Sequence, residues 1–408
     1  MRFMRRLLFG LSVGAVAGLA SSSAYAQTAS LAGTLTDTGG AVLPGVTVTI
    51  TEVQTSASRT SATDERGNYR VPFLPPGRYR IEAGLPGFTT SVRENVVLSV
   101  DDGLRIDFTL QIGEVAEMFI VTAATPLVQS ETSSVGTVID NQKVVELPLN
   151  GREFEDLAQL APGSVPPAPG STLSFRGGFN AVGARETGNN HLLDGIDNND
   201  PAINNFTLRP ILDAIQEFKV LANSYSAQYG RGGGAQVIVS TKSGTNNLHA
   251  SAWEFLRNDK LDARDFFNKK ESAAKPPFHR NQFGATAGGS LAQNRSFFFV
   301  AYEGGRRRQV FTSLQQVPTE AFRRGDFSAA TAPVQDPERS RATFPGNIIP
   351  SNRIDPIARK ILDRGSFPFP TPGLAPPNNL SAVNPFPEDV NEYSARLDHR
   401  FSSSSERR

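Results

Sequence analysis

Ser224-Tyr225-Ser226-Ala227-Gln228-Tyr229-Gly230-Arg231-Gly232-Gly233-Gly234-Ala235-Gln236-Val237-Ile238-Val239-Ser240-Thr241-Lys242 is the stretch on which the reading of this chain turns. Ser224 to Tyr229 reads as a helical turn, the glycines at 230 and 232–234 break it, and Ala235 to Lys242 is a β-branched run that closes as a strand. Upstream, Ile215-Gln216-Glu217-Phe218-Lys219-Val220-Leu221 reads as another strand; downstream lies Ser243-Gly244-Thr245-Asn246. Further back, Glu153 to Leu160 predicts a short helix with Phe154, Leu157 and Leu160 at helical spacing, ended by Ala161-Pro162-Gly163. Phe175-Arg176-Gly177-Gly178 and the polar loop from Leu193 through Asp194, Gly195, Asp197 and Asp200 to Pro201 complete a mixed α+β block over residues 126–245.

In front of it, residues 27–112 alternate apolar and polar at Val46, Val48 and Ile50, at Tyr69, Val71 and Phe73, at Tyr79 and Ile81, and at Leu104, Ile106, Phe108 and Leu110. Asp37-Thr38-Gly39-Gly40, Leu43-Pro44-Gly45, Asp64-Glu65-Arg66-Gly67-Asn68 and Pro75-Pro76-Gly77 supply turns, so an immunoglobulin-like β-sandwich is expected. A linker at 113–125 contains Glu117-Met118-Phe119-Ile120-Val121-Thr122-Ala123, an extended segment with two readings. It is one more sandwich strand or an ordered linker, or it is a strand edge that receives another protein by β-augmentation.

Residues 1–26 read as an export signal: Arg2, Arg5 and Arg6 lead, Leu7 to Leu19 form the apolar region, and Ala24-Tyr25-Ala26 is the cleavage site; a membrane anchor is the other reading. The remaining chain has no apolar run long enough for a membrane helix, so any crossing must use β-strands. Over residues 246–408 amphipathic strands with long loops are expected, a pattern that a soluble β-domain would also give. Phe283, Ala285, Ala287, Gly289 and Leu291 alternate with polar and small residues, as do Tyr393, Ala395, Leu397 and Phe401, and Phe297, Phe298, Phe299 and Tyr302 would suit an interfacial girdle. Thr331 to Pro387 reads as an irregular, proline-rich loop.

Two resemblances follow from these residues. Ala32 to Asp37, Leu43 to Val48, Thr63 to Tyr69 and Leu74 to Tyr79 resemble the carboxypeptidase regulatory-like domain, whose motifs here are turn and core residues and carry no chemistry. The order strand, Ser/Ala turn, Tyr229-Gly230, glycine cluster, strand to Thr241-Lys242 and Ser243-Gly244-Thr245 resembles the plug of TonB-dependent outer-membrane receptors. Leu147-Pro148-Leu149-Asn150-Gly151-Arg152 and Leu193-Asp194-Gly195 narrow the likeness to Oar-like receptors. The resemblance implies a mainly β protein of the cell outer membrane: sandwich, α+β plug, then the first strands of a β-barrel. It implies energy-coupled uptake of an unidentified substrate, with outer-membrane lipid and TonB as partners and Glu117 to Ala123 as the TonB box. It marks Arg152, Arg176, Gly177, Asp194, Gly195, Tyr229, Gly230 and Arg231 as plug positions. Arg152, Arg176 and Arg231 are either charges that hold the plug in the barrel or surface arginines. The alternative is a structural or adhesive envelope protein. A barrel of about 22 strands of about 9–11 residues needs more than about 200 residues, so residues 246–408 are expected to hold only its beginning.

Other functions find little support. Zero Cys excludes disulfides and thiolate chemistry, and 41 Lys+Arg against 40 Asp+Glu, with the signs interspersed, speak against nucleic acid. His191, His249, His279 and His399 fall in no zinc motif, Gly288-Gly289-Ser290 lies inside a period-two strand rather than a nucleophile elbow, and Lys242-Ser243-Gly244-Thr245 lacks a phosphate loop. No cofactor and no enzyme activity are expected. Asp194, Asp197 and Asp200 read as a solvated turn rather than a calcium loop.

Overall fold

The computed structural model describes residues 28–113, 118–122, 133–168, 171, 178–263, 275, 277–363 and 368–401. The export signal, Glu117, Ala123, Arg176 and Gly177 lie outside the described residues. Within Met1–Ala252, Gly284–Tyr302 and Glu392–Arg408 the described residues form one compact unit; Trp253–Phe283 and Glu303–Asn391 form a second.

The first part of the chain folds as two packed sheets. One contains β1 (Ala29–Asp37), flanked by β4 (Asn68–Leu74) and β7 (Gly103–Arg105), with β8 (Phe108–Leu110) also on β1. The other runs β3-β2-β5-β6-β9, with β2 at Thr47–Glu52, β3 at Ser58–Ala62, β5 at Gly77–Gly84, β6 at Thr90–Leu98 and β9 at Met118–Thr122. Alternation places Val46, Val48, Ile50, Tyr79, Ile81, Leu104, Ile106, Phe108 and Leu110 in one core. Tyr69 joins it and donates its hydroxyl to the Ile106 carbonyl at 2.8 Å, so its polar tip is satisfied inside. Phe73 departs from the expected pattern. The β1–β4 register slips between Ala29↔Leu74 and Leu31↔Val71, Phe73 takes φ +61°, and the bulge turns Leu74 inward while Phe73 stays 53% exposed.

The next part is α+β, around the sheet β10-β15-β16-β13-β14. Its strands are β10 (Val135–Asp140), β13 (Asn190–Leu193), β14 (Ile196–Asp197), β15 (Ile215–Asn223) and β16 (Gln236–Thr241), and the short β11 (Ser164–Val165) and β12 (Asn180–Ala181) pair separately. Helix α1 (Asn141–Glu146) starts on Asp140, whose carboxylate accepts the Lys143 N–H. The expected helix after it is a 3-10 segment, Phe154–Leu160, burying Phe154, Leu157 and Ala158. Leu160 lies exposed at its end instead, and Ala161 occupies the core.

The remaining strands, β17 (His249–Asn258), β18 (Phe278–Ala292), β19 (Ser296–Gln315) and β20 (Leu380–His399), pair in that order in a four-stranded sheet. Among the described residues no helix is long and apolar enough to cross a membrane. Two expectations need correction. The aromatic run is split by period two: Phe297 and Phe299 are buried while Val300 is exposed, so the run is no continuous girdle. β20 also begins at Leu380, inside the stretch expected to be loop; Pro385 and Pro387 fit because β20 is the last strand of the described sheet and needs no N–H on its open side. In the second unit the segment before β20 is ordered by side chains that imitate backbone. Asn379 accepts the Val317 N–H and donates to its carbonyl, both at 2.8 Å, and the buried Asp336 carboxylate accepts Arg353 at 2.8 Å and the Glu338 N–H at 3.0 Å.

Candidate functional site

β9 is where Met118 to Thr122 of the expected box fall. The strand pairs in parallel with β6, from Thr90↔Met118 to Glu94↔Thr122, and is the last strand of its sheet. The two readings of this segment are thus not exclusive: it is a sandwich strand and it is an edge.

The following strand arrangement ties the sandwich to the central sheet. Along β15, Phe218 and Val220 point into the α+β core, so period two sends Glu217, Lys219 and Leu221 to the opposite face. That face is covered by the sandwich turn Ser99–Asp102. Val100 packs against Leu221 and Ile238, with Leu192, Tyr225 and Tyr229 around them. Lys219 is only 2% exposed, and its ammonium donates to the Val100 carbonyl at 3.2 Å, the Asp101 carbonyl at 3.1 Å and the Asp102 carboxylate at 3.0 Å. All three of its protons have acceptors. Glu217 accepts the Val100 N–H, and burial raises its carboxyl above the ordinary value. Tyr229 hydrogen-bonds Asp101, and burial raises the pKa of both groups.

Asp194 and Gly195, both at positive φ, form the two-residue turn joining β13 to β14. The Asp194 carboxylate accepts the Thr241 N–H at 2.9 Å and its hydroxyl at 2.6 Å. From β20, Arg396 donates to the Thr241 carbonyl at 3.0 Å and comes within 3.7 Å of Asp194. Gly244 runs so close to β18 and β19 that a Cβ would meet the Phe298 carbonyl oxygen at 2.3 Å and that of Gly289 at 2.5 Å, which accounts for the glycine in Ser243-Gly244-Thr245. Asp197 and Asp200 cap local turns, accepting the N–H groups of Asn199 at 2.9 Å and Ala202 at 2.7 Å.

Of the arginines expected to hold a plug in a barrel, Arg152 is buried and paired with Asp213. Arg231 is exposed, 3.3 Å from Asp197, and donates to Asn204 at 2.6 Å. Tyr229 and Gly230 end the turn that Ser226 caps, Gly230 in the left-handed conformation. Sequence reasoning missed Arg396, Lys219 and Glu217, whose partners lie far away in the chain. It also missed Glu155 and His191. Glu155 is 3% exposed, and among the described residues neither of its carboxylate oxygens has a hydrogen-bond partner. His191 Nδ1 lies 3.5 Å from it, edge-on to Phe206. Burial pushes the Glu155 carboxyl well above its ordinary value, against the field of Arg209 and with that of Glu153 and Asp156, and burial pushes His191 down to about 4. Burial thus favours the neutral form of both partners. Among the described residues no group of three or more His, Asp or Glu could hold a metal ion.

Comparison with known proteins gives these features a setting. Residues 30–111 match the carboxypeptidase regulatory-like domain family, and residues 240–406 match the outer membrane beta barrel domain family. The chain is similar to the TonB-dependent transporter Oar of Myxococcus xanthus, 26% identical over 313 residues, which cover 73% of this chain and 29% of that protein. Among solved structures it is similar to the outer membrane transporter YddB from Escherichia coli, with 18% identity, a TM-score of 0.35, and coverage of 45% of this chain and 27% of that one. It is also similar to the siderophore receptor PirA from Acinetobacter baumannii, with 18% identity, a TM-score of 0.31, and coverage of 43% and 28%. The chain is a homologue of the TonB-dependent transporter Oar and a protein of the outer membrane, with a carboxypeptidase regulatory-like domain ahead of an outer membrane β-barrel domain.

Proposed function

We propose that this chain is the N-terminal part of an outer-membrane transporter that takes up an as yet unidentified substrate with energy delivered by TonB. In this reading residues 1–26 are the signal peptide, 27–112 a periplasmic sandwich, 113–125 the linker with the TonB box, 126–245 the plug, and 246–408 the start of the barrel. The work is binding and gated passage, without catalysis or cofactor. The observation that carries the reading is the edge strand β9, set between a sandwich and an α+β domain that Arg396 of β20 grips at Thr241. Support comes from the similarity to Oar over most of the chain.

A partner that engages 117–123 and pulls loads the chain entering β10, the first strand of the central sheet. Among the contacts that resist are Arg396 to Thr241 and the Asp194 turn beneath it, which are polar and part-exposed. Such contacts break and re-form more readily than the apolar core of the domain, so the central sheet moves before it unfolds. The test is binding of the purified periplasmic domain of TonB to the full-length receptor in detergent. Wild type should bind and a variant lacking 117–123 should not; no binding by wild type sinks the reading, and equal binding by the deletion variant sinks the box.

A further inference from the structure

Where β17 and β19 begin and β20 ends, the strands enclose a cavity of about 570 Å³ together with two sandwich turns and the end of β16. That volume suits a small-molecule site. Phe297, Phe299, Pro75 and Pro76 give it an apolar wall. The charged residues on the lining are Lys242, Arg396 and Arg400 against Glu52 and Asp398, with His249 beside them.

Both acids are already engaged. Glu52 folds back on its own turn, accepting the Gln54 N–H at 3.3 Å and the Thr55 N–H at 3.1 Å. Asp398 accepts Arg396 at 3.0 Å, and Arg396 also donates to the Thr241 carbonyl at 3.0 Å. The other two cations have no acid within hydrogen-bond distance among the described residues. Arg400 donates to neutral oxygens, the Asn294 carbonyl at 3.3 Å and the Thr55 hydroxyl at 3.4 Å. Lys242 is half-buried, and among the described residues its ammonium has no hydrogen-bond acceptor. Burial lowers its pKa, and the Asp213 carboxylate that favours its charge is itself paired with Arg152. Such an ammonium has lost hydration without replacing it. An oxyanion in the cavity would supply the missing acceptor, with Lys242 as a point charge and Arg400 as a planar fork. Two cations without acids match the charge of a phosphate better than that of a single carboxylate.

We propose that this cavity binds a phosphate group carried on an organic body, the phosphate held by Lys242 and Arg400 and the body lying against Phe297 and Phe299. The site does not depend on how the chain engages TonB. Its ligand comes from one of two sources with the same chemistry, a free phosphate ester or a phospholipid head group.

The test is calorimetric titration of the full-length receptor in a non-ionic detergent with phenyl phosphate, and with benzoate as the singly charged comparison. Phenyl phosphate should bind, and benzoate should bind about fivefold more weakly or worse. Lys242→Met should weaken phenyl phosphate by about tenfold or more and Arg400→Met by about threefold or more, while Arg66→Met, on an exposed sandwich turn, should stay within about twofold. Arg400 is exposed, so its variant carries the test if Lys242→Met does not fold. No binding by wild type overturns the proposal. Equal binding by wild type and both cavity variants overturns the site, an equal loss in Arg66→Met reduces the effect to net charge and overturns it too, and equal affinity for benzoate overturns the choice of phosphate. Repeating the titration in phosphatidylglycerol nanodiscs separates the sources: unchanged affinity assigns the site to a free ester, and a loss of about tenfold or more assigns it to the lipid head group.

Discussion

Two of the places where the central domain buries ionisable groups treat them differently. Under the sandwich turn, Asp102 and two carbonyls accept from the Lys219 ammonium. Beside Phe206, burial favours the neutral forms of Glu155 and His191, raising the acid and lowering the imidazole. A compensated ion is a fastening whose strength lies in having its partner; a neutralised pair has a strength that depends on where protons go in the unfolded chain.

Breaking the fastening gives the largest effect. Lys219→Met leaves Asp102 buried without its cation, and a one-sided deletion of a buried pair costs about 3–5 kcal/mol. Hydrogen exchange should accelerate sharply at Val100 to Asp102 and along β15, and Lys219→Met/Asp102→Asn should recover part of the loss; unchanged exchange would show that the turn is held by Val100 alone.

The neutral pair makes a subtler forecast. Folding raises the proton affinity of Glu155 and lowers that of His191. The two contributions to the pH dependence of stability therefore have opposite signs and offset each other. Glu155→Gln uncovers the histidine, whose folded pKa lies below its unfolded one. Its stability is then present above pH 6.5 and lost as pH falls toward 4, at about 1.4 kcal/mol per unit or roughly 3 kcal/mol in all. His191→Gln uncovers the acid with the opposite sign: stability is greatest below pH 4.5 and declines as pH rises. Exchange of β13 and β15 amides across a pH series reads both slopes, and two variants with the same slope would refute the opposed shifts.

Arg152→Met should fall below these. It strips Asp213 of its guanidinium, but Asp213 also favours the charge of Lys242, which burial otherwise lowers, so a cation remains nearby. A cost of about 1–3 kcal/mol is expected in the same exchange measurement. Arg231→Ala marks the floor: its pair with Asp197 is exposed on both sides, and a change under about 0.5 kcal/mol is expected.

Much of the architecture was legible because period two survives in the chain. Val46, Val48 and Ile50 announce a strand with one buried face, and the Asp194-Gly195 pair announces a tight turn. Where the reading failed, a local irregularity or a distant partner had intervened. Phe73 keeps the alternation on paper, but a bulge passes its place to Leu74. Glu217 and Lys219 alternate with Phe218 and Val220 as a solvent face would, and nothing nearby in sequence tells that residues 99–102 cover them. The strand at Leu380 is hidden by Pro385 and Pro387, which are admissible only where the neighbouring side is open. Glu155 follows Phe154 in a short helical pattern and looks like a polar residue facing water. Its burial depends on His191 and Phe206, brought in by later strands and loops.

The pairing of β1 has a consequence for how the sandwich comes into being. Apart from one isolated bridge at its end, Thr36↔Val42, its strand partners are β4, β7 and β8, and the nearest strand pair, Thr34↔Asn68, joins residues 34 positions apart. The opening strand therefore has no sheet to enter until most of the domain has emerged, and its parallel neighbours arrive last, at Gly103 to Leu110. Closing loops of that length before any contact rewards them makes assembly slow and all-or-none, so a chain delivered N-terminus first passes through an interval with Ala29 to Thr34 without a strand partner and open to holding by a chaperone.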